Sequence, residues 1–176
     1  MRLGRPNRPL VVVTLTGLAA LGGCGGPQFD GTTYHAGNVA FRVGPTPSTW
    51  RRIEVSHGAL AFRDDGRDAT IAVTGRCGVD GEDVPLSALT QHLFLSFTER
   101  EILEQKVVPL DGREAMNTVL SAKLDGVPKK FDVWVLKKDG CVYDFLYIVR
   151  PDRFDQGVTE FDRFVQGFAT VNTHAD

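Results

Sequence analysis

Three cysteines and four histidines are the side chains in this sequence most able to do chemistry. They are Cys24, Cys77 and Cys141, and His35, His57, His92 and His174. No two histidines stand at the short spacing typical of zinc ligands, so the sequence predicts no zinc site. It also contains no Gly-x-Ser-x-Gly motif for a serine nucleophile and no glycine-rich phosphate loop. We therefore expect a protein that is not an enzyme, with no catalytic residues and no cofactor.

Two acidic clusters are the other groups that could bind an ion. They are Asp64, Asp65 and Asp68 in one predicted turn, and Asp80, Glu82 and Asp83 before a predicted helix. Calcium takes several carboxylate oxygens, so either cluster could hold it loosely, although neither has the spacing of an EF-hand loop. Asp83 has a simpler role, because an acid at a helix start caps free N–H groups and interacts favourably with the helix dipole. The sequence predicts no specific metal site and leaves a weak calcium site open.

The segment before Cys24 has the parts of a bacterial export signal. Three arginines in the first eight residues form a basic head, and an apolar run follows at 10–21. That run is shorter than the roughly 20 residues that a membrane-spanning helix needs, so it predicts a signal peptide. The run ends in Leu21-Gly22-Gly23-Cys24, which resembles the lipobox of bacterial lipoproteins. An ordinary signal peptide with a cysteine near its cleavage site is the alternative.

The lipoprotein resemblance implies a series of modifications. Residues 1–23 would be the signal peptide, the Cys24 sulfur would receive a diacylglyceryl group, and cleavage before Cys24 would free an amine for acylation. Each buried methylene contributes about 0.8 kcal/mol, so three acyl chains would hold the protein on a membrane of the bacterial cell envelope. The residue after the cysteine is Gly25 and not aspartate. By the sorting rule of enteric bacteria this implies the outer membrane, facing the periplasm, although the sequence alone leaves the inner membrane open.

Without the leader, the chain is one acidic domain that contains two cysteines. The sequence has 20 Lys and Arg against 22 Asp and Glu, a net charge of −2, which becomes −5 without the three leader arginines. This balance argues against nucleic acid as a partner. Cys77 and Cys141 are an even pair in an oxidising compartment, which favours a disulfide over two free buried thiols. Two cysteines with no nearby histidine do not complete a tetrahedral metal site.

Four lysines flank one predicted strand: Lys129, Lys130, Lys137 and Lys138. The simpler interpretation is that they are solvated hairpin ends. The other is an interaction patch that docks onto anionic lipid head groups or onto a protein partner.

Strands dominate the first half of the predicted domain. Residues 24–33 are small and polar and predict a flexible tether, with structure beginning near Tyr34. Apolar and β-branched residues between turn residues then predict four short strands. These strands lie at 39–43, 50–55, 59–62 and 69–74. Apolar residues at helical spacing predict a helix over 85–97, and Thr98-Glu99-Arg100-Glu101 matches a capping box that would open a second helical turn.

Three Asp-Gly pairs at a constant spacing of fourteen mark the second half: Asp111-Gly112, Asp125-Gly126 and Asp139-Gly140. Asp-Gly between β-rich runs is a strong hairpin signal, because type I′ turns need positive φ at both central positions. The pairs predict an antiparallel meander with strands at 115–124, 131–136 and 141–149. The last two strands are apolar on both faces, so the sheet must be covered on both faces.

A C-terminal helix is predicted over 158–168. Its apolar stripe consists of Val158, Phe161, Val165 and Phe168, with Phe164 beside it. Its outward-facing residues are predicted to be Glu160, Asp162, Arg163 and Gln166. Residues 34–171 would then be one domain, followed by a frayed tail at 172–176.

This order of elements resembles the PsbP-like family. The segment from Phe41 to Trp50 is similar to the family's opening, a strand phenylalanine followed by Pro-x-x-Trp, and the phenylalanines from Phe154 to Phe168 are similar to its final helix. The family includes the extrinsic P subunit of photosystem II, a Ran-binding nuclear import factor and bacterial lipoproteins of unknown role. The resemblance implies an α+β fold in which an antiparallel sheet of about six or seven strands is sandwiched between helices. It also implies a non-catalytic role.

Two functions are compatible with these features. The first is a membrane-anchored, non-enzymatic accessory domain of the envelope that binds a protein partner which the sequence does not name. The second is a carrier that holds a small ligand or lipid in a cavity between the sheet and a helix. Enzymatic activity is the least favoured alternative, because no catalytic constellation is present.

Overall fold

The structure, a computed structural model, describes residues 26–55, 59–78 and 84–171. Outside these ranges lie the predicted signal peptide, Cys24, the acidic cluster at 80–83 and the predicted tail, together with His57 and His174. Within them, no helix is long and apolar enough to cross a membrane. The described residues form an α+β fold of two antiparallel sheets with short helices, which confirms the predicted fold class.

Eleven strands form the two sheets of the described chain. They are β1 (Gln28–Phe29), β2 (Thr33–Ala36), β3 (Val39–Arg42), β4 (Arg51–Ile53), β5 (Leu60–Asp64), β6 (Ala69–Cys77), β7 (Thr98–Leu110), β8 (Arg113–Leu124), β9 (Val127–Lys138), β10 (Cys141–Val149) and β11 (Ala169–Thr170). The larger sheet has the order β4-β5-β6-β10-β9-β8-β7, and the smaller one the order β1-β2-β3-β11. In the larger sheet, β10 joins the early strands to the meander because it pairs with both β6 and β9.

Tight Asp-Gly turns join β7 to β8, β8 to β9 and β9 to β10, as predicted. The three aspartates have φ between 46° and 52°, and the three glycines have φ between 71° and 79°. Positive φ at both central positions is the signature of the type I′ turn, whose twist matches that of the flanking strands. These turns fix the register of the meander, and with it the face on which each side chain lies.

One face of the larger sheet is covered by α1 (Leu86–Leu93). Leu89 of this helix belongs to the same buried cluster as Phe131, Val133 and Val135 of β9. The helix ends four residues earlier than predicted, but the chain that follows still covers the sheet. Phe97 stacks on Phe131 with 4.6 Å between ring centroids.

The opposite face is covered by α2 (Val158–Gln166), which follows a 3₁₀ helix (Pro151–Gln156). Phe161 of α2 is fully buried and stacks on Tyr147 of β10, with 5.5 Å between ring centroids. Phe168 lies against Tyr143 and Phe145 at 4.9 and 5.1 Å. The predicted packing of the C-terminal helix on the last strands is therefore confirmed.

The smaller sheet corrects the prediction of a flexible tether at 24–33. Gln28–Phe29 pair with β2, and the Phe29 ring lies edge-on to Phe62 of the larger sheet at 5.6 Å. This segment is mostly polar but contains one aromatic residue, Phe29. The packing of Phe29 against the larger sheet helps to fix the hairpin. Structure therefore begins before Tyr34.

The segment at 98–101 is the start of β7 and not a helical turn. Thr98 pairs with Lys123 and Glu101 with Ser121, and irregularities follow between Thr98 and Glu101 and between Ile102 and Glu104. The capping-box pattern is a local signal, whereas here the backbone hydrogen bonds of the neighbouring strand decide the conformation. Residues 106–110 are thus the end of a strand of 13 residues.

Candidate functional site

A cleft of about 530 Å³ lies between the outer strands of the larger sheet and α2. Strands β7, β8 and β9 form one wall, and the 3₁₀ helix and α2 form the other. The polar side chains that line it are Glu104, Lys106, Asn117, Asp132, Asp162 and Gln166. Trp134 and Phe154 contribute aromatic surface. A cavity between sheet and helix, which the carrier hypothesis requires, is therefore present in the described part of the chain.

Asp132 is the most deeply buried acid of this cleft, with 4% of its surface exposed. The Asn117 amide donates hydrogen bonds to its Oδ1 at 2.5 Å and to the Val133 carbonyl oxygen at 3.4 Å. Burial and then the nearby charge of Asp162 raise the pKa of Asp132 to about 7, against the opposing effects of Asn117 and Lys106. Asp132 therefore changes its charge near neutral pH, which an exposed aspartate does not do.

Asp162 enters the cleft from α2 and corrects the prediction that it faces away from the core. It is half-buried, and burial raises its pKa while Lys106 lowers it. Glu160 also differs from its prediction, since its Oε2 accepts hydrogen bonds from Trp50 Nε1 at 2.9 Å and Arg67 Nη1 at 2.8 Å. Arg163 and Gln166 are exposed, as predicted.

Trp134 lines the same cleft from β9 and is 6% exposed. Its indole N–H is buried and has no hydrogen-bond acceptor among the described residues. Buried N–H groups almost always have a partner, and an unsatisfied one costs free energy. This N–H is closed to solvent and is therefore a local cost to the stability of the fold.

The four lysines of the predicted interaction patch form two pairs at opposite ends of β9. The rise per residue of a strand places the two pairs about 26 Å apart. At one end, Lys129 Nζ donates to Asp68 at 3.1 Å, and Lys130 Nζ lies 4.0 Å from the centre of the Phe154 ring. At the other end, Lys137 Nζ donates to the Val84 carbonyl oxygen at 2.7 Å, and Lys138 Nζ pairs with Asp111 at 2.7 Å. The structure does not bring the four lysines together, and their binding to a partner stays a prediction.

The carboxylates of the acidic turn at 64–68 form ion pairs with arginine and lysine side chains. Asp64 Oδ2 accepts from Arg67 at 2.8 Å, Asp65 from Arg51 at 3.2 Å, and Asp68 pairs with Arg63 and Lys129. Each of the three carboxylates pairs with at least one cation, and Arg63 pairs with both Asp65 and Asp68. No group of three His, Cys, Asp or Glu able to hold a metal ion occurs in the described ranges. Of the histidines placed there, His35 and His92 are both exposed.

A disulfide joins Cys77 and Cys141. These residues face each other across the antiparallel pair of β6 and β10, with Cα atoms 3.9 Å apart. The bond closes a loop with a sequence separation of 64 that contains α1 and most of the meander. The pairing predicted from the even cysteine count is therefore present in the structure.

The outer edge of β7 is one edge of the larger sheet and is 13 residues long. Every residue from Thr98 to Val107 is exposed, and β7 pairs with β8 on one side and with no other described strand. Ile102, Leu103 and Val107 are 49%, 47% and 53% exposed along this edge. Exposed apolar residues beside unpaired N–H and C=O groups are typical of strands that accept a further strand.

The cleft residues were not predicted, because the patterns in the same elements are set by the apolar residues beside them. Asp132 interrupts the apolar run at 131–136, and this was the available signal, since a lone acid inside a buried strand needs a partner. Asp162 was assigned to the outer face of an ideal helix. The exposure of Asp162 depends on how far the neighbouring strands extend beyond α2. Helical periodicity carries no information about the position of those strands.

Comparisons with known proteins support the fold. No protein-family model matches the chain, and no curated protein is similar enough to match it. Among solved structures, cyanobacterial PsbP from Synechocystis is 17% identical with a TM-score of 0.55, over 86% of this chain and 99% of that one. The Ran-binding protein Mog1p of Saccharomyces cerevisiae is 12% identical with a TM-score of 0.55, over 77% and 92%. LpqN of Mycobacterium tuberculosis, involved in cell envelope biogenesis, is 14% identical with a TM-score of 0.53, over 78% and 88%. At these identities the likeness concerns the fold alone, and the chain has the PsbP-like fold.

Proposed function

We propose that this protein is a lipid-anchored, non-enzymatic interaction domain of the bacterial cell envelope. The observation that carries the proposal is the long exposed edge of β7. Related folds fit such a role, because Mog1p is a Ran-binding protein and LpqN is involved in cell envelope biogenesis. The lipobox-like sequence before Cys24 supplies the anchor, and the folded domain supplies the binding surface.

The β7 edge suits an extended segment of a partner protein. Its ladder with β8 is irregular up to Glu104 but regular from there to Leu110, so the regular part presents its outer backbone groups at strand spacing. An added strand would satisfy those groups and bury Ile102, Leu103 and Val107, which is how sheets bind peptides by β-augmentation. Partner selection would come from the charged residues of the same strand, Glu99, Arg100, Glu101, Glu104 and Lys106.

A photo-crosslinking residue in place of Val107 is expected to capture one discrete partner in intact cells. Ile102→Lys should reduce that crosslink by about tenfold or more, because an ammonium group buried at the contact is costly. The matched control is Val55→Lys, two residues beyond the end of β4, where Val55 is 40% exposed. It should leave the crosslink unchanged. Absence of a discrete product, or equal yields in both variants, would contradict docking at β7.

Cys24→Ser is expected to move the protein from the membrane fraction to the soluble fraction, or to leave it unprocessed. The reason is that serine lacks the sulfur to which the diacylglyceryl group is attached. Fractionation of cells, with mass measurement of the wild-type N-terminus, checks this. A variant that is cleaved and still fractionates with membranes would show that Cys24 is not the anchor.

A second candidate function is that of a carrier for a small ligand. The specific observation in its favour is the cleft beside α2, whose wall contains Trp134 and the buried Asp132. The two candidate surfaces share β7, whose outer edge is unpaired in the described chain and whose Glu104 and Lys106 line the cleft. The test of this candidate depends on the class of ligand.

A further inference from the structure

We propose that the N-terminal corner of the domain rests on the lipid head groups of the membrane, and that the β7 edge points away from them. The N-terminal corner is the surface formed by Gln28, Phe29, His35, Arg42 and Arg52. The inference rests on the proposed lipid anchor and deepens it, because it states which surface of the domain the membrane contacts. Two observations carry it, the short chain before β1 and the charge of the corner.

The chain between the proposed anchor and the folded domain is too short to hold the domain far from a membrane. β1 begins at Gln28, four residues after Cys24. An extended chain spans at most about 3.3–3.6 Å per residue, so the Cα atoms of Cys24 and Gln28 lie within about 14 Å of each other in any conformation. Acyl chains that hold Cys24 at the lipid surface therefore hold β1 there too.

β1 lies on the β4 side of the larger sheet. The centre of the Phe29 ring is 5.6 Å from that of Phe62 of β5, and the Arg52 guanidinium of β4 is 5.7 Å from the centre of the Phe29 ring. β4 and β7 are the two edges of this sheet, six strand spacings or about 29 Å apart. The short tether thus holds one edge near the lipid and leaves the opposite edge free to point into the aqueous compartment.

Basic side chains on the corner suit the phosphate groups of lipids. Gln28 pairs with His35, and His35 pairs with Ala40, two residues before Arg42, so Gln28, His35 and Arg42 share one face of the smaller sheet. These three residues and Arg52 are exposed. Within the described chain, neither Arg42 nor Arg52 forms an ion pair with a carboxylate. A free guanidinium group can donate two parallel hydrogen bonds to one phosphate group.

The acids beside the corner are mostly engaged elsewhere. Asp30 Oδ1 accepts hydrogen bonds from two backbone N–H groups of its own turn, at 2.7 and 2.8 Å. Asp65 pairs with Arg51 at 3.2 Å. Glu54, just after β4, is exposed and forms no ion pair with a described residue. The corner therefore presents two unpaired arginines beside one unpaired acid, on a chain whose net charge is negative.

This orientation restricts the kind of partner that reaches β7. A segment that pairs with the β7 edge would lie about 29 Å along the sheet from the lipid-facing edge. It therefore belongs to a part of the partner protein in the aqueous space and not at the bilayer surface. The lysine pairs of β9 lie four strand spacings from β4, so they are not part of the lipid-facing corner.

Two fluorescent labels measure the orientation. In the lipidated chain Cys24 is blocked and Cys77 is bonded to Cys141, so an introduced cysteine is the single reactive thiol. Val55→Cys places a label two residues beyond β4 and Val107→Cys places one on β7, at positions that are 40% and 53% exposed. The full lipidated chain is reconstituted in vesicles of phosphatidylethanolamine and phosphatidylglycerol with a nitroxide quencher on the head groups. Quenching at position 55 is expected to exceed that at position 107 about fivefold or more, because contact quenching does not reach across about 29 Å.

Reversing the charge of the corner should weaken this preference. Arg42→Glu/Arg52→Glu is expected to lower the ratio of quenching at position 55 to that at position 107 by about threefold, because anionic head groups repel carboxylates. The matched control is Arg113→Glu/Arg153→Glu, which makes the same change in net charge at two exposed arginines of β8 and the 3₁₀ helix. It should keep the wild-type ratio. An unchanged ratio in the corner variant would overturn docking through these arginines.

Sedimentation with the vesicles separates failure of the anchor from failure of the orientation. A lipidated chain that sediments and shows equal quenching at positions 55 and 107, or stronger quenching at 107, keeps the anchor and overturns the orientation. A chain that carries no lipid by mass measurement and stays in the supernatant contradicts the anchor and the orientation together. Lipid on Cys24, sedimentation and the expected quenching ratio support both.

Discussion

Phe161→Ala is expected to lower the free energy of unfolding by about 3–5 kcal/mol, the usual cost of truncating a buried phenylalanine. Phe161 is fully buried and stacks on Tyr147, so its removal leaves a cavity between α2 and the sheet. Domains of this size have a free energy of unfolding of about 5–15 kcal/mol, so the substitution would remove a large share of it. A urea denaturation series measures it directly.

The matched control for Phe161→Ala is Arg163→Ala. Arg163 is exposed on the same helix, so its truncation should change the free energy of unfolding by no more than about 0.5 kcal/mol. Asp162 is unsuitable as an exposed control because it is half-buried in the cleft and its pKa is raised by burial. Equal small effects at Phe161 and Arg163 would mean that α2 is not a core element and that the packing described for it is wrong.

The meander and the terminal helix could be predicted because their signals are local. Asp-Gly turns fix both positive φ angles within two residues, and the apolar stripe of α2 repeats within nine residues. The alternation of β9 likewise predicted two covered faces, and the structure places Val133 with the α1 cluster and Trp134 with the α2 cluster. In each case the information lies within one element or between adjacent elements.

The smaller sheet could not be predicted because its strands depend on distant partners. β11 has only two residues and pairs with β3, more than a hundred positions earlier. The same contact brings Gly44 so close to α2 that an added Cβ would overlap the Arg163 carbonyl oxygen. Glycine is required there for close approach of two chain segments, whereas the sequence indicated only a turn between strands. β1 was also missed because its segment is mostly polar, although its one aromatic residue, Phe29, packs against Phe62 of β5.

The candidate site was harder to predict than the fold because it depends on relative positions of elements. Glu104 and Lys106 come from β7, whose first residues, 98–101, were assigned to a helical turn by the capping-box pattern. Asp132 and Asp162 meet only because β9 and α2 pack together. No motif at fixed spacing describes a cleft assembled from five elements, so the available signal was the lone Asp132 inside an apolar strand.

Breaking the disulfide is expected to cost about 4 kcal/mol of stability while leaving the native fold in place. The chain-entropy model gives this value for a closed loop of this length, because reduction mainly frees the unfolded chain. The native state should persist because the ladder between β6 and β10 runs from Ile148↔Thr70 to Cys141↔Cys77 and holds the strands in register without the bond.

The measurement compares urea unfolding with and without reductant in a Cys24→Ser background, so that Cys77 and Cys141 are the remaining thiols. The control is Cys77→Ala/Cys141→Ala, whose stability should match the reduced protein and should not respond to reductant. A loss below about 1 kcal/mol on reduction would contradict the entropic account of this loop. Free thiols at both positions, in protein made in an oxidising compartment, would contradict the bond itself. The large expected effect follows from where the disulfide lies, since it ties the early strands to the end of the meander across the one strand pair that unites the two halves of the sheet.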